Sequence, residues 1–257
     1  MHVRERFATK GYVIFYGADH DDTINVWWSI ARQTDGWFYG EMNDDFFGFF
    51  DDEANMTEER VRVKVVVPDQ DARDMSRLLK RFYRTIFPDA SAHNWHFIMT
   101  PTGTEDQPPR REFLTVPFGA DIMNTTTLPG SIVVATNDDT CYYAYGWNER
   151  FALRSNRKLL ELSKGDVVLF RGDFILAPVG YDTNNICLHA YLDSPFYKRP
   201  HDHRPTVVTK IDDTRGIDDP SCIVWSCTFK GTPLSLRRHL NRSHGMRFQR
   251  AARHLEP

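Results

Sequence analysis

The chain has 257 residues, of which 41% are hydrophobic, 26% charged and 13% aromatic, with a net charge of −3. That length suits one good core with a small appendage, or two modest domains. No apolar run of about 18 residues occurs, so no membrane-spanning helix is expected, and the N-terminus MHVRERFATK lacks the apolar segment of a secretory signal.

The charge is unevenly placed. Residues 221–257 hold seven Lys/Arg against Glu256 alone, a net of +6, which leaves −9 for the first 220 residues. A basic module on an acidic body makes nucleic acid a candidate partner for the tail. The four cysteines, Cys141, Cys187, Cys222 and Cys227, suit a reducing, intracellular compartment better than a disulfide framework.

In chain order, residues 7–16 (FATKGYVIFY) predict a strand entered through a glycine turn. Residues 23–32 predict a helix, with Ile24, Trp27, Trp28 and Ala31 as its apolar stripe and Asp21, Asp22 or Thr23 as cap. Residues 36–59 mix aromatics with Asp, Glu and Gly and read as an irregular segment over the core, or as an acidic surface or lid. The alternation VRVKVVV over 61–67 predicts a strand that Pro68 ends. Residues 69–86 predict the clearest helix, with Met75, Leu78, Leu79, Phe82, Tyr83 and Ile86 at spacings of three and four. A strand follows over 93–99, its His93 and His96 read as structural or surface histidines.

Beyond a loop at 101–110, strands are predicted over 131–135 and 141–145. The stretch 165–195 adds apolar runs at 167–170 and 174–176, a Gly/Asp/Asn-rich turn, and the alternating Ile186, Leu188, Ala190 and Leu192. That alternation predicts one face packed inward and the other open or lining a cavity. Residues 197–220 are rich in Pro, Asp and Gly and read as a connection. Short strands behind two helices predict a mainly β fold with supporting helices.

Three segments carry a family resemblance: FATKGYVIFYG, PGSIVVATNDDTCYYAYG and KGDVVLFRGDFILAPVGYDTNNICLHAYLDSP. They resemble the iron- and 2-oxoglutarate-dependent oxygenases, over roughly residues 7–196. The resemblance implies a double-stranded β-helix (jelly-roll, cupin-like) domain. It also implies iron held by an early His-x-Asp pair and a distal His, with an Arg or Lys for the co-substrate carboxylate about ten residues later. The matching positions here are Leu176 for the distal His, Cys187 for the cation, and Thr115 and Pro117 for the early pair. None of these serves the expected role, and no His-x-Asp or His-x-Glu occurs between 97 and 188. A Cys187/His189 metal pair is conceivable, with Asp121 as a carboxylate; the His20-Asp21-Asp22 string sits too early for the expected pair, and His201 and His203 lie past the last strand. No dinucleotide fingerprint, P-loop or nucleophile elbow is present.

Residues 222–244 follow Cys-x4-Cys-x11-His-x4-His, so Cys222, Cys227, His239 and His244 can close a tetrahedral zinc site. Thr232 reads as N-cap and Pro233 as the first helical residue, Leu236 and Leu240 as inward contacts, and Phe229 as a cover for the metal. The five-residue histidine spacing predicts a loosened last turn. The segment resembles a C2H2 or BED-type zinc finger, a small ββα unit. As such, Thr232, Leu234, Ser235 and Arg238 would face bases, and Arg237, Arg242, Arg247 and Arg250 would meet phosphates. A protein partner for the same face is the competing expectation.

The sequence thus predicts a degenerate oxygenase-like domain over 1–205, a linker over 206–220 and a zinc finger with a basic tail over 221–257. The expected function is a non-catalytic interaction scaffold in the nucleus, holding Zn2+ and meeting DNA, other nucleic acid or protein, with no catalytic residues. The alternative is an iron/2-oxoglutarate dioxygenase with non-standard ligands, acting on nucleic acid or a bound protein.

Overall fold

The computed structural model describes residues 3–18, 21–33, 63–113, 128–147, 149–197, 199–200, 203–215 and 219–246. The aromatic-acidic segment 36–59 lies outside them. The expected strand over 7–16 is divided. Helix α1 spans Val3–Lys10, and strand β1 spans Tyr12–Phe15. Gly11 makes the division at φ 79°, a conformation that L side chains rarely adopt. Phe7 is helical because its ring is needed inside the core, edge-on to Phe87 at 5.3 Å. Helix α2 (Asp21–Gln33) buries Ile24, Trp27 and Ala31, as its stripe predicts. Strand β2 (Val63–Val66) leads into α3 (Asp69–Tyr83), which buries Met75, Leu79 and Tyr83. The helical period carries Ile86 into the same core, although residues 84–87 wind into turns.

The strands continue with β3 (Ser91–Thr100), β4 (Arg110–Arg111), β5 (Gly130–Ala135), β6 (Thr140–Gly146) and β7 (Ala152–Leu153). After them come β8 (Lys158–Leu162), β9 (Val167–Arg171), β10 (Ile175–Pro178), β11 (Asn185–Asp193), β12 (Thr206–Val207) and β13 (Lys210–Ile211). One sheet has the order β1-β9-β5-β11-β3-β2 and a second the order β12-β4-β10-β6-β8. Strands β3, β5, β9 and β11 lie in the first; β4, β6, β8 and β10 lie in the second. The chain therefore crosses between the sheets at nearly every step, which is the double-stranded β-helix form of the jelly roll.

Strand β11 sits in the middle of the first sheet, and both of its faces are buried. Ile186, Leu188, Ala190 and Leu192 pack with Phe7, Met75, Leu79, Ile132 and Leu169 under the helices. Cys187 points the other way, into a second core shared with Val133, Tyr142, Val168, Phe170 and Leu176 between the sheets. Of the two outcomes expected for this face, open or lining a cavity, the second sheet covers it at Cys187, while Tyr191 farther along lines a cavity. Each fully buried Leu or Phe here contributes about 1.5–3 kcal/mol.

Strand β12 pairs with β4, and β13 pairs in parallel with β7. Val208 buries itself against Tyr145, Ala152, Ile175 and Ala177. The C-terminal module continues the β13 edge. Ile211 bridges Val224, the Asp212 N–H donates to Ile223 O at 2.8 Å, and the Trp225 N–H donates to Lys210 O at 2.9 Å. The last element is helix α4 (Pro233–His244).

Candidate metal centre and barrel mouth

A tight turn presents the two thiols. The Cys222 N–H donates to Phe229 O at 2.8 Å, closing a hairpin, and the Cys227 N–H donates to Val224 O at 3.1 Å. Thr232 caps α4, its hydroxyl accepting from the Ser235 N–H at 3.3 Å, and Pro233 opens the helix. His239 and His244 then project from the inner face, while Leu240 is buried beneath them with Ile211, Val224 and Met246. The donor atoms of Cys222, Cys227, His239 and His244 all lie within 4.8 Å of one another. Cys227 Sγ is 3.2 Å from His239 Nε2, which is 3.1 Å from His244 Nε2. A tetrahedral ion with bonds of about 2.0–2.3 Å places its ligands at close to these separations, so the four side chains fit one metal ion. Phe229 stacks on the His239 ring at 4.1 Å, and Ser243 Oγ lies 3.2 Å from Nδ1, which leaves Nε2 for the metal. The loosened last turn does not occur: α4 stays helical to His244, and Gly245 ends it at φ 60°.

The outer face of α4 is basic. Arg237, Arg238 and Arg242 are exposed, Leu234 beside them is 58% exposed, and the helix has no acidic residue. Thr232 and Ser235 turn their hydroxyls to the cap, Ser235 Oγ donating to Thr232 O at 2.8 Å. Arg247 and Arg250 lie outside the described residues.

Inside the barrel, Leu176 and Cys187 both face the space between the sheets. Cys187 Sγ is 3.4 Å from the Tyr142 hydroxyl. The strand partner of Leu176 is Arg110, and Glu112 lies two residues on. Thr115, Pro117, Asp121, His20 and His201 lie outside the described residues. Among the described residues, Leu176 offers no ligand atom and Cys187 no cation where the resemblance implies them. Among the described residues the only cluster of three or more potential ligands is the C-terminal one. Leu176, at the position the resemblance gives the distal ligand, is paired across the strands with Arg110.

The barrel mouth is nevertheless polar. Arg110, Glu112, His189 and Tyr191 are all buried, and Glu112 hydrogen-bonds Tyr191, which helps raise the phenol above its usual range after burial itself. Glu112 Oε2 and His189 Nδ1 are buried without a hydrogen-bond partner. Burial first, then Lys64, His96, Arg110 and Arg199, keeps His189 neutral. The described residues that follow β11, among them Ser194, Tyr197, Arg199 and His203, form a strap beside the mouth. Arg199 pairs with Asp193 and lies 3.6 Å from the Tyr191 ring centre, while His203 stacks on Phe113 at 4.7 Å. Phe113 is seated over Gly172, where any Cβ would collide with its ring. Arg110, Glu112, Ser194 and Arg199 were missed at the sequence level. The one available signal was the charged run Arg110-Arg111-Glu112, which is too short to show a period.

The two sheets give the barrel the double-stranded β-helix form of a jelly roll. No family model and no curated protein matches the chain. Among solved structures, it is similar to HygX from Streptomyces hygroscopicus with nickel and 2-oxoglutarate bound, at TM-score 0.54 and 11% identity, covering 76% of this chain and 87% of that one. It is also similar to the non-heme alpha ketoglutarate dependent carbocyclase SnoK from nogalamycin biosynthesis, at TM-score 0.53 and 9% identity over 75% and 83% of the two chains. EvdO2 from Micromonospora carbonacea var. aurantiaca, complexed with 2-oxoglutarate, gives 0.53 and 11% over 80% and 91%. At these identities the likeness is one of fold.

Proposed function

We propose that the chain is a binding protein on an oxygenase-type barrel without the family's iron chemistry, carrying a zinc-stapled module that presents α4 to a partner. The observation that carries this reading is Leu176 beside Arg110, with Cys187 where a cation would be needed. Two thiolates and two imidazoles with no open position favour zinc in a closed structural site at the C-terminus. The full-length protein is expected to contain one equivalent of zinc, to take up no iron, and to leave 2-oxoglutarate unconsumed when iron and ascorbate are supplied. Stoichiometric iron with 2-oxoglutarate turnover would overturn the reading.

The same α4 face favours nucleic acid as partner, through Arg237, Arg238 and Arg242, with Leu234 beside them. Reversing Arg237 and Arg238 to Glu is expected to weaken duplex binding and to flatten its salt dependence by about two units of slope. An unchanged slope would instead favour a protein partner for this face.

The rival reading is an iron/2-oxoglutarate oxygenase with substituted ligands. It draws on the fold likeness to the oxygenase structures and on Glu112, whose buried Oε2 has no partner. It requires ligands from outside the described residues, and the iron measurement above separates the two.

A further inference from the structure

A cavity of about 1030 Å³ opens beside the barrel mouth, between the β2–β3 edge, the end of β11 and the strap. Among the buried polar atoms of lining residues, Ser194 Oγ and Arg199 Nη1 have no hydrogen-bond partner. A guanidinium only donates and a hydroxyl can donate, so what they lack is an acceptor. Arg199 is already oriented. Its Nε donates to Asp193 Oδ2 at 3.1 Å, and its plane lies against Tyr191 and Phe113. Little ordering remains to be done when a ligand arrives. Lys64 and Arg204 also line the cavity; of its acids, Asp89 and Asp193, the latter is engaged by Arg199. A metal cation is poorly suited to such a wall, and an oxyanion is well suited.

We propose that this cavity binds a small metabolite bearing an oxyanion, a carboxylate or a phosphate ester, received by Arg199 Nη1 and Ser194 Oγ with Lys64 balancing its charge. The volume is that of a small-molecule site. Burial, and then Lys64, lower His96 to about 4, so this ring on the wall is neutral at ordinary pH and sets no second cation against Lys64. The proposal gives the binding barrel its ligand class and so rests on that reading.

The test uses the full-length protein with its C-terminal metal and no added iron. Inorganic phosphate and succinate are titrated separately, with thermal unfolding and calorimetry as readouts. One of the two anions is expected to bind saturably, and which one identifies the phosphate or carboxylate source. Ser194→Ala and Lys64→Gln, each checked for intact fold by circular dichroism, are each expected to weaken that binding by about tenfold. Lys158→Gln, exposed on β8, is expected to leave it unchanged. No saturable binding of either anion, or binding that survives both substitutions, would overturn the proposal while leaving the scaffold reading in place. Binding that appears only when iron is added would overturn both.

Discussion

His96 shows how the barrel mouth constrains charge. The ring is paired across the strands with His189, its Nδ1 donates to Asn94 O at 2.6 Å, and its pKa is lowered to about 4 from 6.5, by burial first and then by Lys64. The unfolded chain therefore binds a proton between pH 6.5 and about 4 that the folded chain refuses. Stability is complete above that window and is lost as pH falls through it. His189 acts in the same direction. Urea denaturation at pH 7 and pH 5 is expected to show the loss, and His96→Gln to reduce it; an equal loss in the variant would remove His96 as its source. Asp212 responds lower on the scale. Burial raises its pKa, but hydrogen bonds from Thr214, Arg215 and Arg154 outweigh that and hold it at about 2, so its contribution persists until strong acid.

Helix α4 was readable in detail because its signals are local: Thr232 as cap, Pro233 at the first turn, and ligands on one face. Thr232→Ala is expected to cost about 1 kcal/mol, seen as a lower unfolding temperature of the metal-loaded protein. If that temperature is unchanged, the cap is not stabilising. The stripes of α2 and α3 were equally legible, since Ile24, Trp27, Met75 and Leu79 repeat at the helical period. Strand β11 was legible only in half. Alternation marks which residues share a face, but not that a distant strand, β10, closes the other side. Strand β4 was not legible at all. Two residues after a Pro-rich loop show no period, and Arg110 gains its meaning from pairing with Leu176, 66 residues away. The glycine turn at Gly11 was legible, but the helix before it was not, because that half is set by the docking of Phe7 on Phe87.

At the scale of the molecule, the module and the barrel share a core. Leu153 and Ile211 from the barrel side bury with Cys222, Val224, Leu240 and Met246. The junction is reinforced by Arg154 and Arg215 on Asp212 at 2.8 Å and 3.0 Å, and by the Arg215 guanidinium donating to Cys222 O at 3.0 Å. Removing the metal should therefore be felt beyond the four ligands. A strong chelator is expected to lower the unfolding temperature of the whole protein and to raise hydrogen exchange in β7 and β13. Exchange there that ignores the chelator would show two independent units.

The backbone bridge from β13 to the Cys222–Cys227 turn also has a geometric outcome. A finger on a loose tether reorients freely and covers only what its own helix touches. Here the polypeptide that carries the arginines of α4 is joined to a rigid body several times its mass, so whatever α4 grips meets the barrel at one set angle. On a duplex, the shadow cast against nuclease would be lopsided and longer than one finger can span, extending on the barrel's side alone.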